Sequence, residues 1–163
     1  LHNTLDMLTF TCNDTAIVYN PEKNAILCVS NTDGKKLWVK KLSEPMAIQN
    51  VLFDDRFYYI ACRTGDTEGM FLTVARGNGT TVWFIPGRTF LEVLYNEFLY
   101  LIFVDEDDRY FLIKVEREEG TKLWYHQIDS DLYYYHFKED GILLHYASGK
   151  KEKITYSGKR IVY

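Results

Sequence analysis

Apolar residues in this chain come in short runs, each broken by a polar pair that favours a tight turn. "LTFTCNDTAIVY" breaks at Asn13-Asp14, "NVLFDDRFYYIAC" at Asp54-Asp55, "VLYNEFLYLIFV" at Asn96-Glu97 and "YYYHFKEDGILLHY" at Asp140-Gly141. Asn, Asp and Gly tolerate the backbone of a short hairpin loop, so each stretch predicts a hairpin. Over windows of about ten residues no apolar set recurs at helical spacing, while Val, Ile, Tyr, Phe and Thr abound. The pattern predicts an all-β chain.

A second pattern lies over the first. "DGKKLWVKKL", "NGTTVWFIPG" and "EGTKLWYHQI" each carry glycine, two polar residues, an aliphatic and then tryptophan: Gly34 to Trp38, Gly79 to Trp83, Gly120 to Trp124. All 3 tryptophans take part, and with 10 glycines in 163 residues chance would give that spacing roughly two times in ten thousand. An aliphatic stands seven places before each glycine (Leu27, Leu72, Ile113) and valine five places before it (Val29, Val74, Val115), which marks one face of a strand. A weaker copy, "YSGKRIVY", places Gly158 four residues before Val162, with valine where tryptophan stood. Trp38 to Trp83 spans 45 residues and Trp83 to Trp124 spans 41, periods that fit one propeller blade per repeat.

Each unit therefore reads as four strands, the first near 5–13, 15–19, 24–30 and 36–42. The prediction is one β-propeller-like domain over 1–163, of about four four-stranded antiparallel blades, with repeats near 5–43, 47–88, 90–129 and 131–163. Stacked blades bury both sheet faces, which accounts for an aromatic content of 16% and for runs such as Phe98 to Val104 that alternate poorly. Four blades is the lower limit for closure, and an open arc would expose two apolar faces. The expectation is that the rest of a longer propeller, or a second copy forming a homodimer, covers them; a start at Leu1 and a stop inside the fourth tryptophan-type strand fit an excerpt.

Charge changes this picture little. The net charge of −4 and scattered basic residues argue against nucleic acid, and no apolar stretch or basic amphipathic helix predicts membrane insertion. "KKLWVKK" (35–41) and "GKKEK" (149–153) read as solvated strand edges guarded by lysine. Asp105, Glu106, Asp107 and Asp108 bunch in "VDEDDRY" but lack calcium-loop spacing, so a solvated hairpin tip is the better reading and no metal site is assigned. Cys12, Cys28 and Cys62 fall in predicted strands with no Cys-x-x-Cys; buried free thiols are expected, with a disulfide between two of them the alternative. His2, His126, His136 and His145 show no ligand spacing and no nucleophile elbow, so no catalytic residue is assigned. Asn13-Asp14-Thr15 and Asn78-Gly79-Thr80 are glycosylation sequons in predicted turns. In "DLYYYHF", strand alternation would put Tyr133 and Tyr135 on one face and Tyr134 on the other, with most of that aromatic surface filling core.

The repeat wording resembles the blades of pyrroloquinoline-quinone-type, or quinoprotein-like, β-propellers, with "ILCVSNTDGKKLW" the nearest copy and "FLTVARGNGTTVW" and "FLIKVEREEGTKLW" looser ones. Ser30, Ala75 and Glu116 stand where that family usually has Asp. The resemblance implies that Trp38, Trp83 and Trp124 dock on the neighbouring blade. WD-repeat wording is absent, since no Gly-His or Trp-Asp pair recurs. Two function classes follow. One is a non-catalytic scaffold binding protein or peptide, similar to the propellers of outer-membrane assembly lipoproteins and of luminal domains that sense unfolded protein, with an extracytoplasmic setting implied. The other is a fragment of a quinone-cofactor dehydrogenase; a carbohydrate-binding propeller is a further alternative. The dehydrogenase family carries a calcium ion held by Glu, Asn and Asp and often a vicinal Cys-Cys pair, and no such pair occurs here. The scaffold reading, with no cofactor, is preferred.

Overall fold

The computed structural model describes residues 8–163; the predicted start of the first strand at Leu5 and His2 lie outside the described residues. Four antiparallel sheets follow one another along the chain, each built from four consecutive strands. The first blade holds β1 (Leu8–Cys12), β2 (Thr15–Asn20), β3 (Ala25–Ser30) and β4 (Lys36–Lys41). The second holds β5 (Ala47–Phe53), β6 (Phe57–Arg63), β7 (Gly69–Ala75) and β8 (Thr81–Pro86). β9 (Arg88–Tyr95), β10 (Phe98–Val104), β11 (Tyr110–Glu116) and β12 (Lys122–Ile128) form the third. The fourth comprises β13 (Leu132–Phe137), β14 (Gly141–Tyr146), β15 (Lys151–Thr155) and the short β16 (Arg160–Val162). No helix occurs among the described residues.

The polar pairs turn the chain for local reasons. Asn13, Asn96 and Glu97 take positive φ (60°, 47° and 71°), the backbone a tight hairpin asks for. At Asp54 the carboxylate closes the turn itself, accepting the N–H groups of Arg56 and Phe57 at 2.9 and 2.8 Å. The fourth turn is shifted relative to the sequence expectation: it lies at 138–140, and Gly141 opens β14, packed so closely on the Ile154 carbonyl that a Cβ would sit 2.7 Å from it.

Three apolar clusters join successive blades, the first around Ile17, Ile26, Ile60 and Leu72, the second around Tyr59, Phe71, Leu99 and Val115, the third around Ile102, Leu112, Ile142 and Ile154. No cluster joins the fourth blade back to the first among the described residues. The molecule is a four-blade arc of an all-β propeller.

One contact recurs at all three interfaces. Trp38 Nε1 donates to the Arg76 carbonyl at 2.8 Å, Trp83 Nε1 to the Arg117 carbonyl at 2.6 Å and Trp124 Nε1 to the Tyr156 carbonyl at 3.0 Å. Each acceptor lies just before the turn glycine of the next blade. A Cβ on Gly79, Gly120 or Gly158 would land on the indole of Trp38, Trp83 or Trp124 respectively. Each indole thus lies flat on a bare glycine while its N–H, which is costly to bury unpaired, finds a carbonyl. For the buried Trp38 and Trp83, about 200 Å² removed from water per ring makes each contact worth roughly 5 kcal/mol before entropy is counted; Trp124 is half-buried and gains less.

The aliphatic residue before each tryptophan has a different role from the one a strand face would suggest. β3–β4, β7–β8 and β11–β12 each slip register by one residue there, leaving Leu37, Val82 and Leu123 as unpaired bulge residues exposed on the outer strand. The bulge re-aims the following indole at its neighbour.

Trp83→Ala is expected to cost about 3–5 kcal/mol in urea melts, as a large-to-small core change. Gly79→Ala is expected to cost about 2–4 kcal/mol, combining overpacking against Trp38 with positive-φ strain, whereas Gly34→Ala, whose Cβ meets nothing among the described residues, should cost about 1 kcal/mol. Equal losses at Gly79 and Gly34 would refute the indole-on-glycine contact.

Candidate functional site

The innermost strands of the second, third and fourth blades carry bulges too. Pairing slips between Ile48 and Asn50, between Thr89 and Leu91, and between Leu132 and Tyr134, leaving Gln49, Phe90 and Tyr133 unpaired and exposed. A bulge bends its strand and redirects side chains, and here it happens on the strands nearest the arc's axis. Gln49 and Asn50 of β5, Arg63 at the end of β6, Phe90 and Glu92 of β9 and Tyr135 of β13 line one cleft of about 560 Å³.

The cleft mixes chemistries. Asn50 Nδ2 donates to Glu92 Oε1 at 3.0 Å and ties β5 to β9. Arg63 Nε is buried without a hydrogen-bond partner among the described residues, an unusual state for a guanidinium nitrogen. Phe90 and Tyr135 remain 53% and 40% exposed, offering ring surface beside these polar groups. Aromatic platforms, a cation, a carboxylate and two amides suit an extended ligand that is both polar and ring-binding, such as a peptide or a sugar.

The three tyrosines depart from the expected alternation. With Tyr133 held in a bulge, period two fails at this point: Tyr133, Tyr134 and Tyr135 are all exposed rather than filling core. Tyr134 lies 5.1 Å from the His145 ring and 3.5 Å, Oη to Nδ1, from His136, so these groups share the free face of the fourth blade. The other described histidine, His126, lies under the third interface, its Nε2 2.5 Å from the Gly158 carbonyl.

Two residues without any signal in the repeat reading brace the interfaces. Arg76 reaches the hairpin turns of two blades, donating to the Asp54 carbonyl at 2.6 Å and to Asp14 Oδ1 at 3.3 Å. Arg117 does the same one blade on, pairing with Asp54 Oδ2 at 2.6 Å and with Glu97 at 3.8 Å. Both precede their turn glycine by three residues, a spacing that could have revealed them. Burial pushes the Asp54 carboxyl up, but the Tyr59 hydroxyl, the Arg56 and Phe57 N–H groups and Arg117 outweigh it and hold the carboxyl below its usual range.

The remaining candidates fall as follows. Cys12, Cys28 and Cys62 are buried free thiols, and Cys28 Sγ lies 3.5 Å from the Tyr58 hydroxyl. Burial pushes Cys12 up to about 11 and Cys62 up to about 12. Asp105 closes its own turn, accepting from the Asp107 and Arg109 N–H groups at 2.9 Å and pairing with Arg109 Nε at 2.7 Å. No group of three or more His, Cys, Asp or Glu placed to hold a metal ion occurs among the described residues. Asn13 and Asn78 are exposed in turns. No helix among the described residues is long and apolar enough to cross a membrane.

No protein-family model and no curated protein matches the chain. Solved structures do. A dihydro-heme d1 dehydrogenase, NirN, aligns with a TM-score of 0.70 at 9% identity over 96% of this chain and 36% of its own. A europium-containing methanol dehydrogenase aligns at 0.68 with 11% identity, covering 94% and 40%. The C-terminal WD40 domain of Sif2 aligns at 0.64 with 13% identity, covering 93% and 44%. The chain therefore has the β-propeller fold shared by quinoprotein-like and WD40 propellers, and spans less than half the length of each of these structures.

All three thiols should react with a thiol reagent at pH 8 only as fast as the protein unfolds, because the thiolate is disfavoured and inaccessible in the fold. Prompt labelling of any one would contradict its burial. Asp54→Asn should cost about 1.5–3 kcal/mol at pH 7, the worth of hydrogen bonds to a charged group. Since the folded carboxyl titrates below the unfolded one, the wild-type advantage is full above about pH 4 and fades as pH falls through the folded value. Stability curves of the two proteins that stay parallel down to pH 2 would rule out this role.

Proposed function

We propose that this chain is a non-catalytic propeller scaffold that binds a protein or peptide partner at the axis-facing cleft. The observation that carries the reading is the cleft itself: exposed Phe90 and Tyr135 rings beside the Asn50–Glu92 bridge and a buried Arg63 Nε with no partner among the described residues. Peptide backbones supply carbonyls for Arg63 and the amides, and their side chains supply surface for the rings. The fold does not choose between binding and catalysis, since its neighbours include both dehydrogenases and a WD40 domain.

Fluorescence titration of the chain against a random peptide library and a glycan panel tests this. A peptide class should bind, and Tyr135→Ala or Arg63→Ala should weaken it at least about tenfold, the effect of losing one buried anchor or charged hydrogen bond. Glycan binding with the same mutational signature would establish the carbohydrate reading instead. Peptide binding untouched by both substitutions would move the site away from the cleft.

A further inference from the structure

The first blade carries a glycine turn built like those of the next two, yet nothing among the described residues sits on it. Gly34 N–H donates to the Ser30 carbonyl at 2.9 Å, as Gly79 does to Ala75 at 2.8 Å and Gly120 to Glu116 at 3.1 Å. The φ angles are 72°, 76° and 75°. The N–H groups of Ser30, Ala75 and Glu116 in turn donate to the Lys35, Thr80 and Thr121 carbonyls at 2.9 Å. The second and third turns each hold an indole from the preceding blade. Above Gly34 a Cβ would meet no atom within 4 Å among the described residues. The Asn31 carbonyl, which stands where Arg76 and Arg117 accept an indole N–H, has no partner among them.

The sheet below this turn is equally unpartnered. Leu72 and Val74, and Ile113 and Val115, are buried against the preceding blade. Their counterparts Leu27 and Val29 are half-buried, and Leu37 and Val39 beside them are 49% and 47% exposed.

We infer that the free face of the first blade docks a further propeller blade that supplies a tryptophan to the Gly34 turn. The occupant's chemistry is defined three times within this molecule: an indole laid on glycine, its N–H on the carbonyl before it. A second copy of this chain fits poorly. All three of its tryptophans are engaged, and at the register of Trp38, Trp83 and Trp124 its last strand has Val162, paired with Glu152. Its free face sets Leu143 and Ile161 among Tyr134, His136, His145 and Lys153, a mixed surface rather than a continuous aliphatic one. The inference is independent of the cleft, whose residues all belong to the other three blades.

The test is a two-dimensional amide NMR titration of the chain with indole and with N-methylindole, together with light scattering over a range of protein concentrations. Indole should shift the Gly34 and Asn31 signals specifically, and N-methylindole, lacking the donor, should bind at least about threefold more weakly, as expected for one hydrogen bond. Gly34→Asn, which keeps positive φ accessible but places a side chain over the turn, should abolish the shifts and leave distant signals in place. If that variant does not fold, the comparison of the two ligands on the unaltered protein still decides. Shifts that are absent, scattered, or equal for the two ligands overturn the inference. So does self-association that Gly34→Asn dissolves, which would give the face to a second copy.

Discussion

An indole lying on a bare glycine, with its N–H bound to the carbonyl just before it, is the contact on which this arc depends. It couples one blade's outermost strand to the next blade's last turn. It makes three demands at once: a ring at one register, no Cβ at another, and positive φ so that the turn's carbonyl faces the ring. Those demands are satisfied four residues apart within a single repeat, because each repeat supplies the ring for the interface ahead and the glycine for the interface behind. The spacing that looks like a local motif is therefore a record of two different interfaces. The sheets between them follow, since their apolar residues need only fill the space that the indole contact sets.

The cleft is freed from these demands by its bulges. Side chains on a regular inner strand alternate between two blade interfaces and are tied to the packing of both. The unpaired residues 49, 90 and 133 leave that alternation and stay exposed: Gln49 and Phe90 line the cleft, and the Tyr133 ring stands 6.4 Å from the His145 ring. Gln49, Phe90 and Tyr133 differ in polarity and size while their blades stack alike. This separates the stability of the scaffold from the chemistry of its surface, and it is why arginine and glutamate stand beside exposed aromatic rings at the axis.

Much of the fold is legible because repetition magnifies weak signals. Gly34, Gly79 and Gly120 before Trp38, Trp83 and Trp124 mark the blades, and the polar pairs at 13–14, 54–55 and 96–97 mark the hairpins. The bulges are not legible. Leu37, Val82 and Leu123 look like core residues, and Tyr133 to Tyr135 look like an alternating strand, because a one-residue slip leaves composition unchanged while exchanging the faces. The cleft escapes notice for the same reason: Asn50, Arg63, Glu92 and Tyr135 are far apart in sequence and meet only because the arc curves. Arg76 and Arg117 lie between these cases, recurring in two repeats but replaced by Asn31 in the first and by Tyr156 in the fourth.

That replacement follows from position in the arc. Arg76 and Arg117 each bridge the hairpin turn of their own blade to that of the blade before. Asn31 instead turns both amide hydrogens inward, to the Asn13 and Thr15 carbonyls at 2.7 and 2.9 Å, and serves only its own hairpin. In the fourth blade Tyr156 stacks on Tyr95 at 5.5 Å and its hydroxyl donates to the Lys138 carbonyl, so ring packing replaces the cation. Lys114 completes that interface by donating to the Tyr156 carbonyl at 2.7 Å, sharing the acceptor with Trp124. One carbonyl thus takes two donors at the third interface, whereas at the first two the arginine side chains bind other acceptors. The three interfaces share one apolar contact and solve the polar problem around it in two ways, which shows that the indole on glycine, and not the charge network, is the constant of the fold.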